Sequence, residues 1–240
     1  MTTTLAIASD GLETVDHRVD PASARWKRLA LRLGVPAAWA GLLLFHPTGD
    51  GEVVFPVISQ QLGRWQAVHL GMAVFIPLFA YAVFTLATGI NGIAGRIGRV
   101  LLPTGAVLYG VYEAALGVGT GALVSHVEDL SGADHAVGAG LVEDYFMQSP
   151  IFRFLELSGS LALGGGIIAT AIALRHAGLI GRSALWLMVV AVVPITWHVP
   201  PFGPVGLLLF VAAMLLSRRS LLSGPSRSVP EASRIAAVAE

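Results

Sequence analysis

Glu113 lies inside the apolar run 100–124, and Glu156 lies inside the run 151–174. A charge at the centre of a bilayer costs at least ~2.5–3.5 kcal/mol, so a carboxylate there faces the bundle interior or a wet cavity. His46, His69, His126 and His198 fall at or near the ends of apolar runs. Neutral imidazole ligates metal ions and haem, and carboxylates suit zinc, iron or manganese. Together these types could do metal-assisted chemistry, an ion activating water or carrying electrons while a carboxyl group moves protons. The four histidines are therefore candidate metal or haem ligands, and Glu113 and Glu156 are candidate catalytic groups.

Each residue also has a plainer reading. Histidine is tolerated at a membrane interface, where one side of the ring meets lipid and the other meets water. No HxxxH or HExxH spacing ties any two of the histidines together locally. His69 stands out because it lies inside a helical run rather than at its end. Met72 follows it three residues later, but two ligands one turn apart cannot take opposite axial positions on a haem. Tyr109 precedes Glu113 by four residues, a spacing at which a phenol can hydrogen-bond the carboxyl group. Arg153 precedes Glu156 by three, which permits an ion pair on one helix face.

The elements that must position these residues follow from composition. The chain has 240 residues, 55% hydrophobic and 12% charged, against about 25% charged in a soluble domain. The expected class is an all-α, polytopic membrane protein. Lys+Arg and Asp+Glu are 15 each, so nothing points to nucleic acid. There is no cysteine, which excludes disulfides, thiolate metal sites, c-type haem attachment and cysteine nucleophiles. About 25 polar residues precede the first apolar run, so that run reads as an uncleaved helix rather than a secretory signal.

Roughly 20 apolar residues cross ~30 Å of hydrocarbon. Six runs qualify: 28–46, 66–88, 99–124, 150–174, 183–198 and 203–217, the last two split by Pro200, Pro201 and Pro204. Prolines lack the donor a helix interior needs. The expected bundle therefore has six spans over 25–219, between disordered tails at 1–24 and 220–240. Arg25, Lys27, Arg28, Arg96, Arg99, Arg175, Arg182, Arg218 and Arg219 cluster at one set of helix ends, and the other set is acidic. Basic ends stay inside, which puts both termini in the cytoplasm and the protein in the plasma membrane. Trp26 and Trp186 then mark the inner interface, and Trp65 and Trp197 the outer one.

That topology gathers all four histidines on the extracytoplasmic side. With a rise of ~1.5 Å per residue, His69 lies about 6 Å below Trp65 and Glu156 about 9 Å below Pro150. The outer loop 47–65 has an apolar stretch at 53–58, and 135–147 could form a short surface helix. Ser149 and Pro150 form a helix start. Glycines at 117, 119 and 121, and small residues at 158–160 and 164–166, are expected to let two helices touch. Residues 94–99 resemble 177–182, which suits either duplicated hairpins or two short Gly/Arg turns.

The leading expectation is an integral membrane protein with a His/Glu site for a metal ion or haem, an intramembrane metalloenzyme or redox protein taking a small-molecule ligand. A transporter for a small solute or cation, and a non-catalytic partner subunit, are the alternatives. Topology is checked by labelling single cysteines from outside. Substitutions at Asp50, Ser131 and Gly203 should react and those at Gly92 and Gly178 should not; outside labelling at Gly92 would overturn the orientation.

Overall fold

The computed structural model describes residues 21–49 and 53–217, and every regular element among them is helical. Helix α1 (Pro21–Leu29) passes through a π turn (Ala30–Gly34) into α2 (Val35–Leu43). Pro36 explains the widened turn, because it has no N–H to return to the preceding turn. The short α3 (Val54–Ser59) precedes α4 (Leu62–Ala87). Then α5 (Ile93–Tyr112) runs through a second π turn (Glu113–Val118) into α6 (Gly119–Glu128). The last four helices are α7 (Gly132–Gln148), α8 (Pro150–His176), α9 (Arg182–Thr196) and α10 (Phe202–Leu215).

All six expected apolar runs are helical, and the loops 47–65 and 125–149 each carry a helix, α3 and α7. Three helical stretches are long and apolar enough to cross a membrane: Leu62–Ala87, Ile93–Glu128 and Gly132–His176. Arg182–Thr196 and Phe202–Leu215 are apolar but shorter. Ser149 precedes Pro150 at the start of α8 as expected, although its side chain makes no capping bond. Most of both expected tails lies outside the described residues, and 21–24 belong to α1.

Burial sorts the apolar residues into two populations. Trp39, Phe79 and Phe210 join α2, α4 and α10, with ring centroids 5.5 Å apart for the first pair and 5.0 Å for the second. Leu70, Leu161 and Val193 are exposed, as suits faces turned to lipid.

Helices α5 and α8 make the closest helix pair. Small residues allow it, because without a Cβ two backbones can touch. A Cβ on Gly105 would sit 2.4 Å from the Leu163 amide nitrogen, and one on Gly159 would sit 2.7 Å from that of Tyr109. Lower down, Gly98 meets Thr170 and Gly166 meets Leu102. The small residues of α8 thus touch a neighbour as expected, Gly159 meeting Tyr109 and Gly166 meeting Leu102. Gly117 and Gly121 pack on α4 instead.

Three expectations are corrected here. Residues 94–99 form the first turns of α5, whereas 177–181 form a loop, so the two segments do not share a structure. Gly92 and Gly178 hold φ of +117° and +70°, and a Cβ on Gly203 would meet the His198 carbonyl at 2.1 Å. Cysteine labels therefore belong at the exposed neighbours Asn91, Ala177 and Phe202.

Gly105→Ala should cost about 1–3 kcal/mol by overpacking, measured as lowered resistance to thermal unfolding in detergent. Gly110→Ala, with nothing within 4 Å of its new methyl, should be neutral or stabilising. Equal behaviour of the two variants would refute the α5–α8 contact.

Candidate metal centre

The site forms where the end of α2, the first turns of α4, the π turn after α5 and the end of α9 converge. His46, His69 and His198 each offer a ligand atom there, all within 4.8 Å of one another. The ring centroids of His46 and His69 lie 5.0 Å apart, and those of His46 and His198 lie 5.2 Å apart. A tetrahedral ion with N ligands at ~2.0–2.1 Å separates them by about 3.3 Å, so modest ring rotation would close the set. The rings meet edge to face, which leaves no slot between them for a porphyrin. Haem, the expected alternative to a simple ion, does not fit this arrangement.

Each imidazole is oriented through Nδ1. His46 Nδ1 lies 2.7 Å from the Pro47 carbonyl, and His69 Nδ1 lies 2.9 Å from the Trp65 carbonyl. A carbonyl only accepts, so both Nδ1 atoms carry the proton and Nε2 keeps its lone pair. Tyr109 donates its hydroxyl to the Thr196 carbonyl at 3.0 Å and sits 2.8 Å from His198 Nδ1. The phenol has one proton: when it goes to Thr196, the phenol oxygen accepts from His198 Nδ1–H and Nε2 is the free atom. This is the outer-shell bonding that fixes metal-ligating histidines. His46 Nε2 is buried without a hydrogen-bond partner, a cost that a bound ion would remove.

Glu113 begins the π turn and is 1% exposed. Its carboxylate oxygens lie 3.9 Å from His69 Nε2 and 3.7 Å from His198 Nδ1, and Oε1 has no hydrogen-bond partner. π turns recur at functional sites because they re-aim side chains inside an otherwise regular helix. Tyr109 does not bond the carboxyl group as expected, because its phenol reaches past Glu113 to the end of α9.

Trp65 is not the interfacial anchor the sequence suggests. It is 5% exposed, lies against the His69 ring with centroids 4.0 Å apart and planes tilted by 31°, and donates its indole N–H to the Gly117 carbonyl at 2.6 Å. Gly117 completes the cradle, since a Cβ there would lie 2.1 Å from His69 Cδ2 and 2.6 Å from its Cβ.

Two expected site residues stand elsewhere. His126 is exposed on α6, because Val124 and Val127 occupy the inward face, and it lines an outer groove with Leu123 and Leu141. Glu156 is exposed on α8, in a groove with Ser160, Thr196 and Trp197. Arg153 gives a guanidinium N–H to the Met147 carbonyl.

Apolar helices of spanning length define the class: this is a membrane-embedded helical protein. No family model and no solved structure matches the chain. It is similar to the phospho-N-acetylmuramoyl-pentapeptide-transferase of Dinoroseobacter shibae, 28% identical over 160 residues, which is 62% of this chain and 43% of that enzyme. The chain thus spans less than half the length of that relative.

Gly117→Ala should lower metal affinity 10–100-fold, the usual effect of losing an orienting partner, because a displaced His69 Cβ cannot be relieved by ring rotation. Gly119→Ala, whose methyl has no neighbour nearer than 3.6 Å, should bind as wild type. Equal affinities in calorimetric titration would remove Gly117 from the site.

Proposed function

We propose that the protein is a multi-pass enzyme of the plasma membrane, with six spans and both termini cytoplasmic, that works through one divalent transition-metal ion. His46, His69 and His198 are its ligands and Glu113 its proton carrier. One observation carries the reading. Three imidazoles from separate elements converge, each with Nδ1 in a hydrogen bond. Three histidines with an open fourth position are the ligand set of catalytic zinc, and imidazole also suits copper, nickel and iron.

A bound ion would supply Lewis acidity at the open position. Glu113 lies beside two ligands, out of bulk water, where it can take a proton from a reacting group and return it. Its neighbours then hold the imidazoles still, Tyr109 through His198 and the Trp65 carbonyl through His69. Glu156 and His126 have no part in this proposal. The similarity to a transferase lends support to an enzymatic role, but it covers too little of that enzyme to carry a substrate across.

Purified protein should contain close to one ion per chain. His46→Ala, His69→Ala and His198→Ala should each weaken binding at least tenfold. His46 and His69 are 7% and 3% exposed, so the two should matter alike. His126→Ala should bind normally. Protonated imidazole has no lone pair, so occupancy should fall as pH is lowered and return when it is raised. Wild-type protein that is metal-free and takes up no added zinc, copper or cobalt would overturn the proposal.

A further inference from the structure

A cavity of about 320 Å³ opens beside His46. His46 is part of its wall and, through its ring contacts with His69 and His198, part of the metal centre too. Val53, Val54 and Val57 form one side of the cavity, Trp65 and Phe146 another. Among the described lining residues His46 is the one titratable group and Thr48 the one hydroxyl. Both polar hydrogens of the nearby rings are already used, His46 Nδ1–H on Pro47 and Trp65 Nε1–H on Gly117. The wall is held in place, because the Phe55 amide on α3 donates to Glu143 of α7 at 2.6 Å.

A path for a hydrophilic solute presents donors and acceptors along its length. The described wall here presents mostly valine methyls and aromatic faces. Ligand cavities run from ~300 to 1,000 Å³, so this one suits a narrow chain rather than a fused ring system. We infer that the cavity beside His46 is the substrate's route to the metal centre, and that the substrate is an apolar-chain molecule with a small metal-ligating end. The inference rests on the metal-centre reading above. The chain would lie along Val54, Val57 and Phe146, with its polar end past His46 at the open coordination position.

The test uses protein loaded with cobalt, in nanodiscs, and three probes: 1-methyl-, 1-butyl- and 1-octylimidazole. The visible cobalt band reports their binding. Octylimidazole should bind at least tenfold tighter than methylimidazole to wild type. Val57→Trp, which fills the cavity, should abolish that gain while leaving cobalt content unchanged. Val53→Trp at the exposed rim is a second blocking variant should the first not fold. Because partition into lipid is common to all proteins, an equal chain-length gain in wild type and blocked variants would overturn the inference.

A second arm needs no metal. An octylimidazole bearing a terminal diazirine should photolabel 53–57 and Phe146 saturably in metal-free wild type and not in Val57→Trp. Cobalt binding without saturable labelling or a chain-length gain would sink this inference and leave the metal centre standing. Saturable labelling in a protein that takes up no cobalt would sink the metal centre, and with it the route, leaving only an apolar-chain site.

Discussion

The contact at Gly117 is the point on which the site depends. There the π turn after α5 presses its backbone against the side chain of His69, closer than any other residue type would allow. The same carbonyl accepts the Trp65 indole N–H, and Trp65 in turn lies over His69 and accepts from its Nδ1 through its own carbonyl. One glycine therefore sets the depth of one imidazole, and the Trp65 carbonyl sets its tautomer. The glycine lies in the same π turn that Glu113 begins, with Glu113 beside two histidines. A side chain at position 117 would separate α4 from the turn and dissolve the arrangement.

The rest of the bundle serves that contact by the economy of a chain in lipid. Apolar contact between spans gains little over contact with lipid, so helices are held by close approach and by polar bonds. The glycine contacts of α5 with α8 supply the first. Tyr109 supplies the second, with its backbone against Gly159 and its hydroxyl on the end of α9. That single residue links the tightest helix pair to His198. The helices α3 and α7 pack beside the site through Phe55, Ile58, Val124, Val127 and Val142, a separate apolar cluster that includes Trp65.

Much of the scaffold was legible because hydropathy speaks directly to helix length. All six apolar runs are helical, and the polar interruptions at 47–65 and 125–149 did contain short helices. The inward placement of Glu113 followed from the cost of a carboxylate in hydrocarbon. Glu156 and His126 defeated the same reasoning because depth along a helix does not fix azimuth. Val124 and Val127 claim the buried face of α6, and His126 is left outside. The role of Trp65 was hidden for a related reason: an indole near a helix end is normally an interfacial anchor, and only its bond to Gly117 shows otherwise. The Tyr109–His198 bond joins residues 89 apart in sequence, which no local spacing could reveal. Nor did anything local announce the π turn, although the glycines at 117, 119 and 121 marked a stretch where helix backbones meet.

The central claim is that three neutral imidazoles share one ion, and X-ray absorption on zinc- or copper-loaded protein measures that most directly. The account predicts nitrogen scatterers at ~2.0–2.1 Å, with the outer-shell pattern of three imidazole rings, falling to two in each of His46→Ala, His69→Ala and His198→Ala and remaining three in His126→Ala. A spectrum that fits oxygen ligands alone, or one unchanged by removing any of the three histidines, would contradict it.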